Sequence, residues 1–224
     1  NVVPLEDTYS RLGMILLSER SRLDEVLNEG LDRYPESFSL NVYRMVIDSM
    51  NPQRADDREW KQLLSYREIG DYAEIVGMAY FNIGRGLADL EDRTGAIEAY
   101  RRSLFFRPDH SQVLERLGAL LIADGQIEEG LNRLQRAVDL APYHGGYRYS
   151  LALALQFANR TEEAIQACHQ GLEIKATSEL YYLLGGCLGH LGKKKEAAAV
   201  FRRGLQIFSN DRALLLGLAK AEEG

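Results

Sequence analysis

The side chains best suited to chemistry in this chain are four histidines, two cysteines and a few recurring acids, and their spacing argues against catalysis. His110, His144, His169 and His190 have no second ligand at metal-binding spacing, and no His-Glu-x-x-His or Cys/His cluster occurs. Cys168 and Cys187 are too few and too far apart for a disulfide framework or a Cys-x-x-Cys site, so they are expected to be small buried hydrophobes. Asp109-His110-Ser111 has the residue types of a hydrolytic triad, but neighbours in one turn cannot adopt the geometry nucleophilic attack needs. A turn followed by a helix start accounts for them better. Gly185, Gly186, Gly189 and Gly192 invite comparison with a dinucleotide loop, yet no strand pattern precedes them. The acid pairs Glu128-Glu129 and Glu162-Glu163 recur early in helical stretches, where negative charge suits the helix dipole. The expectation is a protein with no catalytic residue, no metal and no cofactor.

Composition narrows the remaining classes. With 46% hydrophobic and 27% charged residues, 224 residues can bury a substantial interior. A net charge of -6 and a pI near 5.4 oppose a phosphate-binding face, so no nucleic-acid partner is expected. The basic runs Arg101-Arg102, Lys193-Lys194-Lys195 and Arg202-Arg203 suit solvated helix faces. No apolar run approaches the roughly 18 residues needed to cross a bilayer. The chain starts at Asn1, which is compatible with an upstream signal peptide or anchor, so the compartment stays open between cytoplasm, periplasm and a membrane-anchored form.

The elements that position these residues repeat. A small residue follows Leu or Ile at Ile83-Gly84, Leu117-Gly118, Leu151-Ala152 and Leu184-Gly185, at intervals of 34, 34 and 33 residues. Twelve residues later comes a second small residue, at Ala96, Gly130, Ala164 and Ala197. Tyr100, Leu134, Cys168 and Phe201 follow four positions on, and the unit closes at Pro108, Pro142, Ala176 and Ser209. Several columns therefore agree on one period. Residues 80, 83, 84 and 87 share one helical face, as do 96, 97, 100, 103 and 104. Small residues where the two faces meet let the backbones approach. No strand pattern of useful length interrupts the helix formers.

The stretch from Tyr80 to Pro108, YFNIGRGLADLEDRTGAIEAYRRSLFFRP, resembles the tetratricopeptide repeat family in its aromatic, Leu-Gly, Ala, aromatic and Pro positions. The resemblance implies an all-α fold, a right-handed solenoid of antiparallel helix pairs, A then B. Full repeats are expected at 77–110, 111–144, 145–177 and 178–211. Residues 212–224 form a capping or next-repeat helix whose core positions are expected at Leu215, Leu218 and Ala219. Residues 1–76 are expected to be divergent repeats: Leu12-Gly13 resembles a helix A signature, 22–35 a helix B with its closing Pro, and 38–50 and 57–69 another helical pair.

In this family helix A lines the concave groove, and carrying its contact positions over residue by residue gives the candidate partner-binding set. These are Met78, Phe81, Asn82, Arg85 and Asp89 in the first repeat, and Gln112, Glu115, Arg116, Ala119 and Ile122 in the second. The third contributes Gly146, Tyr149, Ser150, Leu153, Gln156 and Phe157, and the fourth Glu179, Tyr182, Gly186, Gly189 and His190. The family's two-carboxylate clamp is absent, since the fifth position holds Phe81, Glu115, Tyr149 and Tyr182. An aromatic, aliphatic and small lining suits an amphipathic helix or an extended, partly apolar segment of another protein. The expected function is a protein-interaction module or adaptor. The alternatives are a scaffold subunit of a bacterial envelope, secretion or polysaccharide-export assembly, or a module attached to an enzyme domain elsewhere. An exposed helix face at the array end could also pair with its own copy.

Overall fold

The computed structural model describes residues 20–37, 40, 41, 44 and 73–223. The Leu12-Gly13 signature, most of the 38–50 pair and all of 57–69 lie outside them. The chain divides into two compact units, 1–108 and 109–224. The first contains α1 (Arg20–Arg33), α2 (Ala73–Asp89) and α3 (Arg93–Phe106). The second contains α4 (Ser111–Ala123), α5 (Ile127–Leu140), α6 (Gly145–Phe157), α7 (Thr161–Ile174), α8 (Ser178–His190), α9 (Lys194–Ile207) and α10 (Arg212–Glu222). Among the described residues the architecture is all-α.

Each hairpin is made by the same turn. Three residues separate α2 from α3, α4 from α5, α6 from α7 and α8 from α9, and the middle residue is left-handed in all four: Glu91 (φ 62°), Gly125 (85°), Asn159 (58°) and Gly192 (74°). The amide of the following residue then donates back to the carbonyl five residues earlier, as Asp92 does to Leu87 and Lys193 to Leu188, both at 2.9 Å. This closure satisfies carbonyls that the helix end leaves open and reverses the chain. Glycine takes the left-handed conformation without cost and asparagine tolerates it; glutamate does so only under strain.

Small residues set the approach of the paired helices. A Cβ on Gly118 would lie 2.7 Å from Leu134 and 2.9 Å from the Gly130 carbonyl oxygen, and one on Gly130 would lie 2.7 Å from the Gly118 carbonyl oxygen. The backbones of α4 and α5 thus touch through two glycines. In the next hairpin Ala152 and Ala164 are completely buried. Between α8 and α9 the Phe201 ring occupies the place of a Gly185 side chain, 2.5 Å from its Cβ position. In the first unit Tyr100 sits likewise on Gly84, and the buried Ser103 hydroxyl donates to the Gly77 carbonyl at 2.7 Å, fastening α3 to α2. Leu131, Leu134, Leu151, Leu155, Leu180 and Leu184 are among the residues of a continuous core in the second unit, with Cys168 and Cys187 also inside it.

Three of the seven helix starts in the second unit, those of α4, α8 and α10, are capped by side chains. Nδ1 of His110 accepts from the Val113 amide, Oγ1 of Thr177 from Leu180 and the Asp211 carboxylate from Leu214. His110 is therefore a cap, which accounts for Asp109-His110-Ser111. The links between hairpins differ by one residue: 141–144 and 208–211 hold four, 175–177 three. The short link leaves α7 through Lys175 in extended backbone (φ -155°, ψ 121°), where Ala141 has φ -135° and ψ 68°.

One expectation needs correction. In α10 the buried positions are Leu214 and Gly217, with Leu218 and Ala221 packed partly against the core, whereas Leu215 and Ala219 are exposed. Leu215 and Ala219 match Tyr181 and Gly185 one period earlier, the face with which α8 meets α9. Among the described residues no helix covers that face of α10.

Candidate partner-binding face

The expected contact residues divide between the two units. In the first, Met78, Arg85 and Asp89 are exposed on α2, while Phe81 and Asn82 are half-buried. The Phe81 ring leans on Tyr100 of α3, with centroids 6.0 Å apart.

In the second unit, α4 exposes Gln112, Arg116 and Ala119. Glu115 is half-buried and accepts a 2.7 Å hydrogen bond from the Ser150 hydroxyl of α6, so these two satisfy each other. Ile122 is 8% exposed and belongs to the core, lying against Gly130, so its side chain has almost no surface to offer a partner. It is the next-to-last residue of α4, and its side chain packs towards Gly130 of α5. On α6, Gly146 is exposed, Tyr149 packs partly against the core, Gln156 is half-buried, and Leu153 and Phe157 stand 45% and 63% exposed. On α8, Glu179, Gly186, Gly189 and His190 are exposed, with Tyr182 at 46%.

Three of these α8 residues line a cleft of about 270 Å³ between α8, α9 and α10. Helix α8 supplies Tyr182, Gly185, Gly186 and Gly189; α9 supplies Lys194, Ala197 and Phe201; α10 supplies Gly217, Lys220 and Ala221. The glycines are of two kinds. A Cβ on Gly185 or Gly217 would strike the Phe201 ring at 2.5 or 2.6 Å, so packing requires both. A Cβ on Gly189 would meet nothing within 4 Å, and one on Gly186 only the Gln156 amide nitrogen at 4.0 Å. Helix packing therefore does not explain those two. Tyr182 leans over Phe201 at 6.2 Å between ring centroids.

Lys220 of the cleft lies one period beyond the contact columns of the fourth repeat, whereas the α9 residues belong to a helix B, which those columns do not cover. One period on from Tyr182 and Gly186 stand Leu216, which is 62% exposed, and Lys220. The signal was present in the same columns.

Several charges elsewhere in this unit take part in ion pairs or caps. Arg160 bridges Glu163 at 2.6 Å and Glu128 at 3.7 Å, which assigns one member of each acid pair to an ion network. The Arg160 hydrogen bond holds the Glu163 carboxyl below its ordinary pKa. The Leu214 amide, followed by the Ser178 hydroxyl and the Ala213 amide, does the same for Asp211. Burial, and secondarily the neighbouring Cys187, pushes the Cys168 thiol up to about 12. Among the described residues no group of three or more His, Cys, Asp or Glu could hold a metal ion, and no helix is long and apolar enough to cross a membrane.

Stacked antiparallel helix hairpins with small residues at each crossing define an α-solenoid. Residues 178–211 match the tetratricopeptide repeat family model, and the described hairpins have the all-α fold of a tetratricopeptide superhelix. Solved structures of similar fold include YrrB, described as a TPR protein with an unusual peptide-binding site, at 18% identity and TM-score 0.67 over 84% of this chain and 95% of that one. They also include the pilF protein of Pseudomonas aeruginosa, at 16% identity and TM-score 0.62 over 96% and 97%. MamA is similar at 22% identity and TM-score 0.60 over 66% and 81%. Among curated proteins, the BBSome complex member bbs-4 of Caenorhabditis elegans is 37% identical over 60 residues, 27% of this chain. An uncharacterized protein of Aquifex aeolicus is 38% identical over 74 residues, 32% of this chain. The matches span only 13% and 10% of those two proteins.

Proposed function

We propose that the second unit binds a segment of a partner protein along the helix A side chains that run from α6 through α8 to α10. The observation carrying this reading is the exposure of Leu153, Phe157, Tyr182 and Leu216 on those helices, beside a cleft whose Gly186 and Gly189 leave room for a guest backbone. Large apolar side chains grouped at a surface are the usual anchors of such contacts, and glycines inside helices are unfavourable without a compensating role. The binding step is association by shape and apolar burial, with no bond made or broken.

The test is partner capture from the native extract by the wild type and by the variant Leu153→Ser, Phe157→Ser, Tyr182→Ser, after both show the same melting curve. A partner retained by the wild type and lost by the variant supports this face. Equal capture moves the interface elsewhere and removes the reading.

A further inference from the structure

The cleft between α8, α9 and α10 combines an apolar floor with two charges that the fold does not use. Lys194 begins α9 and Lys220 lies on α10; both line the cleft, both are exposed, and among the described residues neither is paired with a carboxylate. Arg102, Arg107, Arg133, Arg136, Arg160 and Arg202 pair with acids, whereas these two lysines, like Lys193 and Lys195 beside them, form no such pair among the described residues. Two unneutralised ammonium groups around one hollow, on a protein of net charge -6, form a local positive site on an acidic background. The floor is the Phe201 ring with the α-carbons of Gly185 and Gly217 against it, and Tyr182 forms one wall. A volume of about 270 Å³ falls below the roughly 300–1,000 Å³ usual for small-molecule sites. It suits one large side chain with its adjoining backbone.

We propose that this cleft selects, within the bound segment of a partner protein, a large apolar residue flanked by an aspartate or glutamate. The apolar side chain sits on the Phe201 and Gly217 floor beside Tyr182, its backbone passes over Gly186 and Gly189, and the acidic side chain lies between Lys194 and Lys220. This rests on the binding reading above and adds the chemistry of the segment. Apolar burial supplies the affinity; the two lysines discriminate against basic and neutral sequences and make the complex sensitive to salt. Gly189 keeps the path open, because any side chain there would project into unoccupied space where the guest backbone runs.

A phage-displayed peptide library selected on the full chain tests this, using the wild type and the charge reversal Lys194→Glu, Lys220→Glu. Both lysines are exposed, so the variant is expected to melt with the wild type; Lys194→Gln, Lys220→Gln is the milder substitute. The expected result is wild-type enrichment of peptides with Asp or Glu within two positions of a large apolar residue, and enrichment of Lys or Arg at that place by the reversal. The best wild-type peptide should lose at least tenfold in affinity to either lysine variant, weaken as salt is raised, and be blocked by Gly189→Leu in a chain that still folds. Enrichment of apolar peptides with no acidic preference, bound equally by wild type and reversal, overturns the acidic selectivity and leaves the binding face standing. No enrichment, or peptides retained by the Leu153→Ser, Phe157→Ser, Tyr182→Ser variant, removes the binding face and this inference together.

Discussion

The same substitution has opposite effects at two glycines of the second unit. At Gly130 an added methyl would press on the Gly118 carbonyl oxygen at 2.7 Å and on Ile122 at 2.8 Å, and the backbone atom cannot step aside cheaply. Overpacking of this kind costs about 1–3 kcal/mol, more than the roughly 1 kcal/mol alanine gains in helix propensity. Gly130→Ala should therefore lower the thermal midpoint. At Gly189 the methyl enters open space, so Gly189→Ala should raise stability by about 1 kcal/mol, read by urea titration. Glu91 offers a third case, a left-handed residue with a Cβ at a turn position where two of the other hairpins use glycine. Relieving that strain is worth about 1–2 kcal/mol, partly offset by glycine's greater freedom when unfolded. Glu91→Gly is expected to stabilise the first unit.

At the scale of helices, the hairpin was legible because it depends on columns of residue type that recur at fixed distance: the Gly or Ala at each crossing and the large residue set against it. Those columns placed Gly84, Gly118 and Gly185 at crossings, and the close approaches are found there. A column says less where the partner helix is missing. Leu215 and Ala219 carry the right residue types for a crossing, but no second helix crosses them among the described residues. Ile122 shows the converse limit. A contact position carried over from a family pattern says which side of a helix it occupies on average, whereas burial depends on the neighbour, here Gly130, whose missing side chain draws Ile122 inward. The crossing of α6 and α7 gives the element-scale test. Ala164 is completely buried, so Ala164→Phe should force the helices apart at about 1–3 kcal/mol or more, seen as a lower midpoint with the helical spectrum retained below it.

The second unit as a whole should respond to pH and to thiol reagents in ways set by its closed core and its caps. Asp211 and Glu163 have folded pKa values below their ordinary ones, so each contributes stability that is present above the ordinary carboxylate range and is lost as pH falls through the depressed value. Asp211→Asn, which keeps a capping side chain but cannot titrate, should flatten the acid side of the stability profile between those limits, measured by melting at stepped pH. Cys168 and Cys187 are free and enclosed, and a thiol pushed up to about 12 supplies almost no thiolate near neutrality. Both should stay unmodified by an alkylating reagent until the unit opens, making their labelling rate a measure of its opening. The sequence disclosed this enclosure through spacing alone, since Cys168 occupies the column of Tyr100, Leu134 and Phe201. It could not disclose the cleft, which depends on three helices meeting and on two lysines lying 26 residues apart.

The three-residue link at 175–177 bears on how such an array changes in length. Its neighbours hold four residues, yet α8 starts with its own Thr177 cap and lies in the same core as α6 and α7. A deletion inside a helix would rotate every later side chain by about 100°. Here the difference is taken up by straightening Lys175, and the following helix is set afresh by its cap. Each hairpin thus keeps its own origin of measurement, and an insertion or loss at a junction ends where it occurs instead of passing down the chain.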